Sequence, residues 1–500
     1  MLKNKIMKNI AVAGILLFLV VGILSCKKML DVPSHRALIE ENMWQTKNDA
    51  RAGLSACYAL MRAAMCNENA HWVYGELRGG DFQSTKRGDL KAVVESNLNA
   101  TFSTMSEWRD WRRFYAAIAQ CNLTIAKLPQ VTVSDYRYSQ NDLKLDISQA
   151  IYIRAFLYYY IVRIWGDVPL VTKVADGTTK TIVREKWEKV LDYAAAEAKS
   201  SIDGLPWKYN GQSPEQQGDY RGQGESHHKS ITITKGMAYT LLAHIYSWSG
   251  AYDKALENAN IVINNSSSGG YNFVSVNDLA RLDGAFRGRF DCNIFQVDMN
   301  FDHAEMSSTG QLEDWTLRDP YIPKQESEIY VPRDSVLKIY GEPHEQRPDY
   351  FFTKMDDTYP MFFKMKQINT SVTNPVLKMY TSCIIVFRYE ELYLLRSEAK
   401  ARLGMTDEAQ KDLNRIRNSR GLKSVNTATS GEALLDAILL ERRRELMGEG
   451  WYWYDLVHFK RIPQYSRLTQ ADVDKGAAFW PISQEALSNN PSLTQNNFWK

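Results

Sequence analysis

The 500-residue chain is short of the features that announce most chemistries. It has almost no excess of one charge: 61 Lys and Arg stand against 58 Asp and Glu, a formal net charge of +3. Lys3, Lys5 and Lys8 lie in a basic leader, so a processed chain is close to neutral. That removes the electrostatic footprint of a nucleic-acid binder, and no nucleic-acid partner is expected. Cysteine is scarce and scattered. The six cysteines form no C-x-x-C pair, which excludes a disulfide framework and the usual structural zinc sites. The chain holds no G-x-x-x-x-G-K-[ST], no G-x-S-x-G and no H-E-x-x-H. Gly222-x-Gly224 has His227 where a dinucleotide loop needs its third glycine, and the adjacent His227 and His228 read as a solvated pair. Asp283, Asp291, Asp298 and Asp302 do not have the spacing of an EF-hand loop. No cofactor, no metal and no catalytic pair is nominated.

What is abundant is aromatic: 13 Trp, 27 Tyr and 18 Phe. A helical core uses such residues, and so does a surface that stacks on sugar rings or grips peptides. Five hundred globular residues with 24% charge imply one large domain or two fused ones.

Long apolar runs are also rare, with one exception. Met1–Lys8 is basic and residues 10–24 read IAVAGILLFLVVGIL, followed by Ser25-Cys26. The run is too short for a comfortable membrane span and has the layout of a secretory signal. Its end resembles a bacterial lipobox, which makes 1–25 a lipoprotein signal peptide and Cys26 the lipid-bearing residue. Acyl chains at about 0.8 kcal/mol per buried CH₂ hold a protein on a bilayer almost permanently. Removing Cys26 leaves Cys57, Cys66, Cys121, Cys292 and Cys383, most of which are expected to be buried small hydrophobes.

Helical periodicity dominates the rest. Asp49–Met65 and Trp108–Leu128 read as amphipathic helices, the second closed by Pro129. Between them, His71–Thr101 carries four glycines with Trp72, Tyr74, Arg78 and Asp81, which reads as loop chemistry with exposed aromatics. Ile147–Trp165 and Glu185–Ile202 are further helices, and Asn210–Lys229 reads as a polar surface loop. Met237–Ile263 and Tyr389–Ile416 are helix–turn–helix units with tetratricopeptide-like spacing. Their turns, Gly250-Ala251-Tyr252-Asp253-Lys254-Ala255 and Gly404-Met405-Thr406-Asp407-Glu408-Ala409, match, and Asp is expected to cap the incoming helix. They lie far apart, so they do not form a tandem array in sequence. Residues 264–385 lack sustained helical periodicity and carry Trp315, Tyr321, Tyr330, Tyr340, Tyr350 and Tyr359.

The last strong element is Glu432–Phe459. Leu435, Ile438, Leu439 and Leu446 share one helix face. Arg442, Arg443 and Arg444 project about 100° apart, so at least one faces neighbouring structure and needs Glu441, Glu445, Glu449 or Asp455 as partner. This arrangement is read as an ion-pair lock in preference to an active site. Gly448 and Gly450 then precede the block Trp451-Tyr452-Trp453-Tyr454.

Glu441, Arg442, Glu445, Leu446, Glu449, Gly450, Trp453, Asp455 and Leu456 together resemble the C-terminal signature of the SusD/RagB family of outer-membrane nutrient-binding lipoproteins. Tyr452 stands where the family usually has Arg, so any ion pair of that Arg is absent or replaced. Arg154-Ala155-Phe156, Gly166-Asp167-Val168-Pro169-Leu170, Phe479-Trp480-Pro481-Ile482 and Asn490-Pro491-x-Leu493-x-Gln495-Asn496 are similar to further family elements in the same order, with Ser483 replacing the second proline.

The resemblance implies a mostly α, SusD-like fold. Its tetratricopeptide-like scaffold covers mainly 36–263 and 386–460 of a domain 26–500, with a loop-rich ligand-binding insertion at about 264–385. It implies a non-enzymatic outer-membrane lipoprotein that binds a glycan and delivers it to a TonB-dependent, SusC-like transporter. Peptide capture in the manner of RagB, a surface glycan-degrading enzyme and a pure assembly scaffold are the other readings. Trp72 and Trp315 are the expected stacking faces, with Tyr74, Tyr321, Arg78 and Asp81 beside them.

Overall fold

The computed structural model describes residues 43–174, 182–299, 312–370 and 378–500, and the leader with Cys26 lies outside them. The first helix, α1 (Lys47–Cys66), starts on a reciprocal cap. Thr46 Oγ1 accepts from the Asp49 amide at 3.2 Å while the Asp49 carboxylate accepts from the Thr46 amide at 2.8 Å. Then follow α2 (Arg112–Ser134), α3 (Gln140–Trp165) and α4 (Trp187–Ser201). The C-terminal half of α3 is buried on every side, so it reads as an unbroken apolar and aromatic run with no stripe.

Pro129 does not end the second helix: α2 runs on to Ser134 with the proline inside. An internal proline costs about 3 kcal/mol. Leu128 and Val131 beside it pack into a small cluster with Trp44, Ala50 and Tyr138, and that burial offsets the lost hydrogen bond.

Helices α5 (Lys235–Trp248) and α6 (Tyr252–Asn264) form one helical hairpin; α7 (Tyr389–Arg402) and α8 (Thr406–Ser419) form another. The two turns are the same object. Gly250 and Gly404 have φ +78° and +77°, and Ala251 and Met405 have φ/ψ of −84°/65° and −84°/62°. Each turn closes with a six-to-one bond, Ala251 N–H to Tyr246 C=O at 2.8 Å and Met405 N–H to Lys400 C=O at 2.9 Å. That is a Schellman ending, which needs a residue tolerant of the left-handed region. Asp253 and Asp407 do not cap; they sit in the first turn, where the positive end of the helix favours a carboxylate.

Neighbouring helices pack in the order α1, α2, α3, α4, α5, α6, α7 and α8. The hairpins that sequence separates are therefore adjacent in space, with α6 against α7. The intervening chain is tied off at its root by an antiparallel ladder of β1 (Asn293–Val297) and β2 (Ile384–Arg388), in register Ile384 with Val297. Both strands are buried throughout, and β2 runs straight into α7. Helix α9 (Gly431–Leu446) lies across α7 and α8, and α10 (Tyr452–His458) follows it. One aromatic-rich core threads the whole array. No helix of the described residues is long and apolar enough to cross a membrane.

Candidate functional site

Glu441 and Glu445 fall four residues apart on one face of α9, and Glu449 follows in the turn just beyond its end. Glu445 accepts from Arg388, Arg420 and Arg347 at 2.8, 2.8 and 2.9 Å. Burial alone would raise its pKa, but Arg420 and Arg388 outweigh burial and hold the carboxyl well below its ordinary value. Glu449 takes Lys364 at 2.5 Å and Arg388 at 2.9 Å. All three consecutive arginines are engaged: Arg442 with Glu391 and Asp455, Arg443 with Asp81, and Arg444 with Glu342. These groups are consumed by one another, and most of them are buried, Glu342 and Arg443 lying at the edge of the cluster. The cluster is a lock that ties α9 to β2, α7 and α8.

The segment read as an exposed loop is the other half of that lock. Ala70–Gly75 is a buried helical turn, and Trp72 is 1% exposed, its indole donating to Gly448 C=O at 3.0 Å. Tyr74 donates to Trp108 C=O at 2.6 Å. Arg78, wholly buried, lies 3.9 Å over the Trp453 ring and donates to the carbonyls of Ala477 and Ala478. Asp81 is buried against Arg443, and Trp315 is buried beneath Arg87. These five side chains have no free face for a ligand, which corrects their expected role. Glycines in the segment are there for close approach: a Cβ on Gly75 would stand 1.9 Å from Gly450 C=O. Tyr452, in the family's arginine position, fits against Gly79 beneath the Arg443 guanidinium.

Tyr321 does reach the surface, at 36% exposed. Its ring meets Phe363 at 4.6 Å, and the Lys366 ammonium sits 3.6 Å from the Phe363 centroid. Burial pushes Lys366 down to about 8. The segment His71–Thr101 and the 264–385 insertion do meet, through Gln83 and Ser84 paired with Tyr330 and Ile329, and through Arg87 with Glu328. Tyr330 and Tyr359 pair their rings there at 4.8 Å, while Tyr340 is core.

A more enclosed site lies elsewhere. A cavity of about 420 Å³ opens between α1, α3, the chain around 220–232 and β1. Its wall carries Tyr58, Met61, Gln149, Tyr220, Gln296 and Val297. The polar groups are held by a chain of bonds: Tyr58 donates to Gln149 at 2.7 Å, Gln149 to Tyr220 at 2.9 Å, and Tyr220 to Asp146 at 2.8 Å. Arg289 donates to Asp298 at 3.0 Å, and Gln296 donates to the other Asp298 oxygen at 3.1 Å. An apolar wall with a few convergent, preorganised polar groups suits a small ligand.

Periodicity did not disclose this cavity, because it is assembled from four distant segments. The polar stretch Asn210–Lys229 contributes Tyr220, Gln223 and His228 to its wall and is not merely solvated. His228 in particular is buried, bonded to Thr232 and to Tyr220 C=O at 3.0 Å each, and burial lowers its pKa. No sequence signal marks the cavity: Arg221 and Arg289 adopt left-handed backbone at φ +55° and +60°, and such angles are invisible without coordinates. Of the aspartates weighed for a cation, Asp283, Asp291 and Asp298 pair with Arg281, Lys229 and Arg289, and Asp302 lies outside the described residues.

Comparison with known proteins agrees with this architecture. Residues 340–475 match the model of the SusD family, and residues 37–217 match the family described as starch-binding associating with outer membrane. SusD-like protein P38 of Formosa agariphila is 26% identical over 98% of this chain and 99% of its own. A SusD superfamily protein of Bacteroides thetaiotaomicron is 34% identical, with a TM-score of 0.82 over 92% of this chain and all of the other. A laminarin-binding SusD-like protein, at 20% identity, shares the fold with a TM-score of 0.70 over 90% of this chain and 99% of its own. From the signature helix to the paired helical hairpins, the chain belongs to the SusD/RagB family.

Proposed function

We propose that this protein is a lipid-anchored outer-membrane binding protein that captures a glycan in the cavity between α1, α3 and β1 and delivers it to a SusC-like, TonB-dependent transporter. The observation that carries the reading is the cavity itself. Tyr58 and Tyr220 supply ring surface, Met61 and Val297 supply apolar contact, and Gln149, Gln296 and Arg289 supply fixed hydrogen-bonding groups. Sugars need that combination, because one face of a pyranose is apolar and its rim is hydroxylated. Its volume accommodates a sugar unit or two, with the rest of the chain left outside. Support also comes from the starch-binding description of a matching family model and from a laminarin-binding protein of the same fold. The membrane association rests on that same description and on the lipobox at Cys26. The Tyr321–Phe363 pair is a second exposed aromatic surface, suited to contacting the part of a long chain outside the cavity.

Titration calorimetry with a panel of oligosaccharides tests the capture. Ala59 is exposed at the cavity wall, so Ala59→Trp fills the mouth without disturbing the core. Binding that the wild type shows and Ala59→Trp loses, at an unchanged melting temperature, is the expected result. Undiminished binding by Ala59→Trp would place the site elsewhere. Cys26→Ala should release the protein from the outer-membrane fraction; its retention there after a high-salt wash would contradict the anchor.

A further inference from the structure

The packing of the first two helices brings two thiols together. Helices α1 and α2 run antiparallel, and three hydrogen bonds fix their register. Arg113 Nε donates to Ala64 C=O at 3.0 Å, and Gln120 Nε2 and Thr124 Oγ1 donate to Gly53 C=O at 3.3 and 3.2 Å. Cys57 lies one turn on from Gly53 along α1, and Cys121 lies one turn back from Thr124 along α2. The register therefore sets the two cysteines opposite each other. Cys57 Sγ donates to Thr124 Oγ1 at 3.4 Å across the same gap, and the two cysteine side chains share a hydrogen bond. Both are fully buried thiols.

A disulfide joins Cα atoms roughly 4.4–6.8 Å apart. The Thr124 hydroxyl stands only two bonds from its Cα, so its bond to a backbone carbonyl of α1 shows that the helices approach this closely here. Cys66 does not compete for Cys121. It ends α1 two and a half turns beyond Cys57, about 14 Å along the axis at ~1.5 Å per residue. The thiols of Cys292 and Cys383 donate elsewhere, to Asn293 and to Ala285 C=O.

We propose that Cys57 and Cys121 are a modification site, oxidised in the secreted protein to a disulfide that bolts α1 to α2. The oxidant is the disulfide of an envelope thiol oxidoreductase. One cysteine thiolate attacks it to form a mixed disulfide, and the second cysteine displaces the enzyme's sulfur. Two thiols thus lose two electrons and two protons, and the enzyme's disulfide becomes a dithiol. Both thiols are shielded from solvent once the helices close, so the exchange takes place before α1 and α2 pack. The inference rests on the secretory reading of the leader, because a reducing cytoplasm keeps such a pair as thiols. It is independent of the ligand in the cavity.

The test uses the full-length protein, expressed with its leader in a bacterium that processes lipoproteins. Cells are quenched in acid and the chain is unfolded in N-ethylmaleimide, which blocks every free thiol. Peptide mapping without reductant should find the Cys57 peptide joined to the Cys121 peptide, with Cys66, Cys292 and Cys383 alkylated. Reductant should lower the melting temperature of the wild type and leave that of the Cys57→Ala/Cys121→Ala double variant unchanged. A processed, membrane-bound chain with Cys57 and Cys121 both alkylated would overturn the disulfide and leave the secretory reading standing. A chain that keeps its leader, with the same two residues alkylated, would overturn both.

Discussion

Arg388 Nη1 lies 2.8 Å from Glu445 Oε1, with both side chains fully buried. One residue ends the strand that closes the insertion, and the other sits near the end of the signature helix, so the pair joins the root of the insertion to that helix. Glu445 also serves Arg347 and Arg420. Glu445→Ala should therefore take one carboxylate from three guanidiniums at once, leaving Arg388 its pairs with Glu390 and Glu449 and Arg347 its pairs with Glu345 and Glu441, and cost about the 3–5 kcal/mol of a broken buried pair. Urea denaturation measures it, and a loss below 1 kcal/mol would show that the network relaxes.

Glu313 is buried with Oε2 unpartnered, and burial raises its pKa to about 8. The folded protein thus holds a proton that the unfolded chain releases near pH 4.5. Stability from this group is complete below that pH and is lost as pH rises through about 8. Glu313→Gln, neutral at every pH, should flatten the fall in melting temperature between pH 5 and 8. Identical profiles for the two proteins would refute the assignment.

Three glycines separate two kinds of constraint. Gly250 and Gly404 have open space where a Cβ would go, so alanine there meets only the left-handed backbone and should cost about 1–2 kcal/mol, equally in both turns. Gly75→Ala meets Gly450 C=O at 1.9 Å and should cost more than either. Thermal melts of the three variants give the ranking.

Trp72→Ala removes a core indole and its bond to Gly448. A loss of about 3–5 kcal/mol is expected. Glycan affinity measured on the surviving folded fraction should be unchanged, because the ring is buried and does not line the cavity. Lost binding at full stability would restore Trp72 as a stacking residue.

Much of the scaffold was legible in the chain. Helical periodicity, the repeated G-x-x-D-[KE]-A turn and the signature of α9 are local patterns, and local geometry decides them: a Schellman ending needs glycine wherever it occurs, and carboxylates four apart share a face in any helix. The site was less legible. Trp72, Tyr74, Arg78 and Asp81 sit among glycines and so resemble a loop, yet Gly448 and Gly450 return to cover them. Whether an aromatic is platform or core depends on what lies above it, and sequence spacing does not contain that. Pro129 shows the same limit, since the packing of Leu128 and Val131 overrides a local penalty. Sequence by itself determined the helices, their turns and the family. Only the tertiary structure decided which residues meet, bringing Arg221 and Arg289 to one cavity from separate segments, because burial and charge balance are properties of assembled surfaces.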